Sequence, residues 1–197
     1  MRDYLLYIFL FIIIVLLALA EPLSSHWLMF DREAIDRGQF WRLFSAHFVH
    51  LSLTHTLGNA LGLTLFAYIA GRFLNNLVGV ILLVWCVLFV GIGLYLYADY
   101  LQRYVGFSGV LHGLLLASPF ISRFYSRRIA WCFFLVILVK VGWEQSPFYD
   151  DMALVAAIGG RVETNAHLLG VVAGSLFLIA YYFSRKLFCL KEAKDGS

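Results

Sequence analysis

Gly106-Phe107-Ser108-Gly109 sets a hydroxyl among small residues at the start of a short apolar stretch that ends near Pro119. Such residues add little packing there, but they let a substrate carbonyl and a base both come close. A serine hydroxyl is a weak nucleophile until a neighbouring base accepts its proton, and neutral imidazole suits that task near neutral pH. His167, at the start of a later apolar stretch, is the expected base and then general acid. His55 and Asn59 are spaced i, i+4 and share one helix face. The His55 ring N–H, the Asn59 amide and the backbone N–H of Ser108 are the expected donors to an oxyanion. The chemistry these residues could perform together is acyl transfer by a serine–histidine pair.

Other titratable residues are given lesser parts. No acid is placed by the sequence to orient His167, so a dyad is expected. Lys140 and Glu144, also i, i+4, are expected to pair with each other or to reach towards the membrane surface. His112 follows Ser108 by four positions and shares its face. It is an alternative base, ranked below a role as cavity wall or as a partner for the second or third span. His26, His47 and His50 read as structural. Cys86, Cys132 and Cys189 form no C-x-x-C pattern and read as small apolar residues. Gly-x-Gly-Asp and His-Glu-x-x-His sites are absent from the sequence, and no metal or cofactor is expected.

The elements that must position this chemistry are membrane helices. The chain is 62% hydrophobic and 14% charged, with a mean hydropathy of +0.83, which fits an all-α polytopic membrane protein and excludes a soluble domain. Six spans can be drawn at about 4–20, 54–72, 77–97, 108–121, 129–144 and 165–184, each near the roughly 20 residues that cross a hydrocarbon core. The first reads as a retained span rather than a cleaved leader, because Ala18-Leu19-Ala20 runs into Glu21-Pro22 and further spans follow. The fourth is short, so its start is expected to lie below the membrane surface, against protein or a wet cavity. Segment 21–53 mixes Trp27, Phe30, Phe40, Trp41, Phe44 and Phe48 with Arg and Asp and reads as an interfacial element. One domain, 1–197, with a cytoplasmic tail from 185, is the simplest organisation.

Charge sets the expected orientation. With both termini cytoplasmic, Arg2, Arg72, Arg123, Arg127, Arg128, Arg185, Lys186, Lys191 and Lys194 lie inside, against Arg32, Arg37, Arg42, Arg103 and Arg161 outside. Spans 2, 4 and 6 then run the same way, and their first turns bring His55, Asn59, Ser108, Asn165 and His167 to one depth. Gly109-x-x-x-Gly113 and Gly170-x-x-x-Gly174 are small-residue faces that let spans 4 and 6 approach closely, and Gly58-x-x-x-Gly62 is expected to do the same for span 2. Each feature also has a structural reading: Ser108 as turn filler, His167 as a cross-helix hydrogen-bonding residue, His55 and Asn59 as a buried network. All would then have to share a depth by accident. A channel or transporter is disfavoured because the polar residues gather near one face. The net charge of +3 comes without a basic–aromatic cluster, which argues against nucleic acid as a partner.

In order and spacing, Gly38-Gln39-Phe40-Trp41-Arg42-Leu43, His50, His55-x-x-x-Asn59, Gly106-x-Ser108-Gly109 and Ala166-His167-x-x-Gly170-x-x-x-Gly174 resemble the rhomboid intramembrane serine proteases over nearly the whole chain. The resemblance implies a six-helix bundle with an interfacial first loop, a catalytic Ser108–His167 dyad assisted by His55 and Asn59, and lateral substrate access past spans 2 and 5. It also implies membrane-anchored protein substrates in the lipid bilayer and no cofactor. The compact length and the run Gly106-Phe107-Ser108-Gly109-Val110-Leu111-His112-Gly113 are most similar to the rhombosortase subfamily. That implies cleavage, near the periplasmic face of a bacterial inner membrane, of C-terminal Gly-Gly-type sorting anchors of exported proteins. The alternatives are a general rhomboid protease with other single-span substrates and a catalytically silent rhomboid-like binding module.

Overall fold

A computed structural model describes residues 4–122 and 125–195. Arg2 and Arg123, which enter the charge count above, lie outside the described residues, as do the last two positions of the tail. The long helices are α1 (Leu5–Leu19), α5 (Leu53–Ala70), α6 (Leu77–Tyr97), α7 (Ser108–Ile121), α8 (Arg127–Glu144) and α10 (Thr164–Asp195). Between α1 and α5 the chain forms α2 (Leu23–Leu28), a two-residue strand β1 (Phe30–Asp31), α3 (Arg32–Asp36) and α4 (Arg42–Ser45). A second strand, β2 (Arg103–Tyr104), precedes α7, and a short α9 (Met152–Ile158) precedes α10.

Three helices among the described residues are long and apolar enough to cross a membrane: Leu53–Leu74, Leu77–Tyr97 and Thr164–Leu187. The other expected spans depart from that pattern for separate reasons. α1 and α7 are apolar but have only 15 and 14 residues, while α8 carries Arg127, Arg128, Lys140 and Glu144 within its 18 residues. α10 does not stop near 184. It continues to Asp195, because the following Arg, Lys, Leu, Glu and Ala are helix formers and no breaker intervenes before Gly196. Apolar side chains also face outward, among them Phe9 and Leu16 of α1, Leu61 of α5, Ile81 of α6, Val139 of α8 and Ile179 of α10. Helices apolar on both their inner and outer faces suit a lipid solvent, and the chain reads as a multi-pass membrane protein.

α7 is the central element. Its residues Gly109–Leu114 and Leu116–Pro119 are buried, enclosed by α5, α6, α8 and α10. The closest neighbour is α10, and glycine is the reason. A Cβ on Gly109 would stand 2.7 Å from the carbonyl oxygen of Ala166, and one on Gly113 would stand 2.7 Å from that of Gly170. The reciprocal Cβ on Gly170 would collide with the carbonyl of Gly109, and one on Gly174 would lie 2.6 Å from that of Gly113. The expected face on span 2 is only half realised. Gly62 abuts Leu111, but Gly58 faces open space.

The 21–53 segment is tied to the rest by arginines rather than by an apolar core alone. Arg32 donates to the carbonyls of Leu94, Tyr95, Ala98 and Leu101 and so closes the C-terminal end of α6. Arg42 donates to the carbonyls of His26 and Met29 and to the Gln39 side chain. β1 pairs antiparallel with β2, Phe30 opposite Tyr104, and the Gly106 N–H donates to the Ala46 carbonyl at 3.1 Å. Arg32→Ala is expected to destabilise the folded chain by about 3 kcal/mol, since it removes four hydrogen bonds at once and takes the side-chain donor from the Tyr95 and Leu101 carbonyls. Denaturant titration of the purified protein in detergent, against Arg37→Ala on the exposed side of α3, would measure it.

Candidate active site

The chain enters α7 through a bend that the sequence dictates. Gly106 has φ +122°, a conformation that side-chain-bearing residues rarely adopt. A Cβ there would also stand 3.0 Å from Cε1 and Nε2 of His55. Its N–H is held by Ala46 and its carbonyl by the hydroxyl of buried Tyr104, at 2.8 Å. The loop therefore delivers Ser108 as the first residue of a helix whose leading N–H groups have no intrahelical acceptors.

Ser108 Oγ lies 2.8 Å from Nε2 of His167, which α10 presents from its first turn. His167 is buried, and its other nitrogen, Nδ1, lies 2.8 Å from Oε2 of Glu144. The sequence-based expectation that no acid faces His167 is thus corrected. Glu144 ends α8, and the loop and α9 that follow bring α10 back alongside it. The other carboxylate oxygen accepts from Lys140 Nζ at 2.6 Å, so the expected i, i+4 pair also forms. Sequence spacing explained Glu144 by its neighbour on the same helix; the second partner, 23 positions away, becomes visible only when α8 and α10 cross.

His55 accepts the Leu51 N–H at Nδ1 over 3.4 Å, which leaves Nε2 as its protonated, donating nitrogen. Asn59 uses one amide hydrogen on the His55 carbonyl, at 3.1 Å, and a planar amide keeps a second. Both residues line the same cavity as Ser108. His112 stacks on His167, ring centroids 4.2 Å apart and planes 23° from parallel. Its Nδ1 sits 2.7 Å from the Ser108 carbonyl oxygen, to which it must donate. Asn165 turns away to donate to the Tyr100 hydroxyl.

Two histidines of the 21–53 segment, His47 and His50, are buried. Burial pushes the His47 imidazole down to about 4, so it is neutral at physiological pH, with Nε2 on the Val87 carbonyl at 3.0 Å. His50 stands edge-on to His55 at 5.0 Å and is pushed down to about 3, first by burial and then by that neighbouring ring.

Ser108, His167, His55, Asn59, Lys140 and Glu144 all line one cavity of about 840 Å³. Leu154 and Ile158 of α9 form part of its wall, and the Ile158 carbonyl is held by the Ser52 hydroxyl at the start of α5, 2.7 Å away. His112, Glu144 and His167 bring atoms able to ligate a metal within 4.8 Å of one another. Hydrogen bonds already occupy both His167 nitrogens and Nδ1 of His112, so the cluster is accounted for as a proton-handling network. Such a network can deprotonate a hydroxyl next to donors suited to a developing oxyanion.

Comparison with known proteins covers most of this framework. A family model described as Rhomboid domain matches residues 37–186. The Bacillus subtilis (strain 168) protein named "Putative rhomboid protease YdcA" is 24% identical over 152 residues, spanning 77% of this chain and 71% of that protein.

Proposed function

This chain belongs to the rhomboid family, and from that premise we propose that it is an intramembrane serine protease working through Ser108 and His167. Family membership points to a protease acting on membrane-embedded substrates within the bilayer. The finer reading rests on one observation above the others, the 2.8 Å approach of Ser108 Oγ to His167 Nε2 at the wall of the cavity.

In this mechanism Ser108 Oγ attacks the scissile carbonyl carbon as its proton passes to His167 Nε2. The carbonyl electron pair moves onto oxygen, where His55 Nε2–H, the free Asn59 amide hydrogen and the Ser108 N–H act as donors. Collapse expels the amine, which takes the proton from His167, and leaves an ester on Ser108. Water then attacks that ester, giving its proton to His167. The acid is released and the serine restored. Gly106, Gly109, Gly113, Gly170 and Gly174 support this by letting backbone and imidazole approach.

We read the whole chain as one six-span domain of a bacterial inner membrane, with both termini cytoplasmic, the 21–53 segment at the interface and the cavity open to the periplasm. A substrate segment would enter sideways between α5 and α8, which both contribute to the cavity wall. The preferred substrates are exported proteins with C-terminal Gly-Gly-type anchors, as in the rhombosortase subfamily. The test is co-expression with a reporter carrying such an anchor, beside one whose Gly-Gly pair is replaced by Leu-Leu. Processing of the first alone, lost in Ser108→Ala, is the expected result. Equal processing of both would assign a general rhomboid protease, and processing that survives Ser108→Ala, or is absent in wild type, would end the serine-protease reading.

A further inference from the structure

The proposed protease reading leaves one buried acid unused. We propose that Glu144 is a positioning residue that converts the Ser108–His167 pair into a three-membered relay, with Lys140 holding the carboxylate; this inference rests on Ser108 and His167 acting as described.

The proton inventory carries it. A carboxylate is an acceptor, so the 2.8 Å contact between Glu144 Oε2 and His167 Nδ1 requires the proton to be on Nδ1. Neutral imidazole has one such proton, and Nε2 is then left with its lone pair facing Ser108 Oγ, also at 2.8 Å. Without an acceptor at Nδ1, the imidazole proton is free to sit on Nε2, where it would point at the serine and block the transfer.

The ring is also held mechanically. His112 covers one face of His167, and the carboxylate is fixed from behind by Lys140 on Oε1. The two ends of that ion pair differ in exposure: the Lys140 side chain is 45% exposed and that of Glu144 only 7%. Water screens the ammonium more than the carboxylate, so the negative charge is felt mainly by His167, which becomes a cation when it takes the serine proton. An i, i+4 pair with lysine needs only a surface position. Burying the carboxylate and aiming its second oxygen at an imidazole needs another explanation, and an ionisable group within a membrane helix points to function.

The test uses the full chain in detergent and a fluorophosphonate probe, which needs no knowledge of the natural substrate. Ser108 Oγ bonds to phosphorus, fluoride leaves, and the serine proton goes to His167. The maximal labelling rate (kinact) and the half-saturating probe concentration (KI) are measured separately, with thermal midpoints to report on folding. Glu144→Gln keeps shape but loses the charge; it is expected to lower kinact by about 100-fold while KI and the thermal midpoint stay near wild type. Glu144→Asp restores a carboxylate one methylene short and should recover about a tenth of the wild-type rate.

A Glu144→Gln rate within about threefold of wild type, or a loss confined to KI, overturns the proposal. If Glu144→Gln fails to fold, Glu144→Asp decides: a wild-type kinact overturns the proposal, and a roughly tenfold fall at constant KI supports it. Ser108→Ala separates the two levels of inference. Label lost in Ser108→Ala but unaffected in Glu144→Gln removes only the role of Glu144, whereas label that persists in Ser108→Ala removes the protease reading and this relay with it.

Discussion

His167→Ala is expected to reduce substrate processing by at least about 1,000-fold while the chain still folds. Loss of a general base that also serves as general acid removes both proton transfers of each half-reaction, and the remaining rate then comes from oxyanion donors and binding alone. The comparison that gives this force is His112→Ala. The two imidazoles are stacked 4.2 Å apart, so a pocket that needed only a nearby imidazole could use either. Their hydrogen bonds separate them: Nε2 of His167 meets the Ser108 hydroxyl, whereas His112 is fixed on the Ser108 carbonyl, which carries no proton to remove. His112→Ala is expected to cost about tenfold by freeing the His167 ring, and His112→Phe, which keeps a flat ring, to recover most of that. Processing assays on each variant at matched expression would check it. Loss in His112→Ala with activity retained in His167→Ala would exchange their roles.

Gly170→Ala should be among the most damaging one-carbon additions in the helical bundle. The added methyl would be driven into the carbonyl of Gly109 and would come within 3.3 Å of the Gly113 nitrogen. These are backbone atoms that no rotamer change can move. Separating α7 from α10 is expected to cost about 3 kcal/mol and to abolish activity, because the separated surfaces carry Ser108 and His167. Gly58→Ala is the contrast. Nothing lies within 4 Å of its added carbon, and replacing a helical glycine by alanine should stabilise by up to about 1 kcal/mol. Denaturant titrations of the two variants beside wild type would show opposite signs. A Gly170→Ala chain as stable as wild type would mean that the contact between α7 and α10 is looser than the structure has it.

The contrast between these glycines also marks what a sequence can carry. Gly109, Gly113, Gly170 and Gly174 were legible because their spacing matches the helix period on both partners, and close backbone contact needs small residues on each side. Gly58 fits the same spacing, but spacing cannot say how far along a face a neighbour reaches. Ser108 and His167 stood out because polar groups are costly at the start of membrane helices. Glu144 was hidden by having a sufficient explanation nearby in Lys140. The stacking of His112 on His167 was not legible either, because the two lie on different helices. The link from β1 to β2 and the carbonyl cluster around Arg32 were not legible, because two-residue strands have no periodicity and an arginine's acceptors leave no mark on the sequence.

Ser108 and His167 are 59 positions apart, and α8 with Glu144 falls between them. A chain emerging from the ribosome therefore presents Ser108 well before His167. Until α10 has slid against the glycines of α7, the Ser108 hydroxyl has no His167 beside it and His167 has no carboxylate. The pair therefore forms only once α7 and α10 have packed against each other. On the proposed mechanism, proteolysis then begins only with completed assembly.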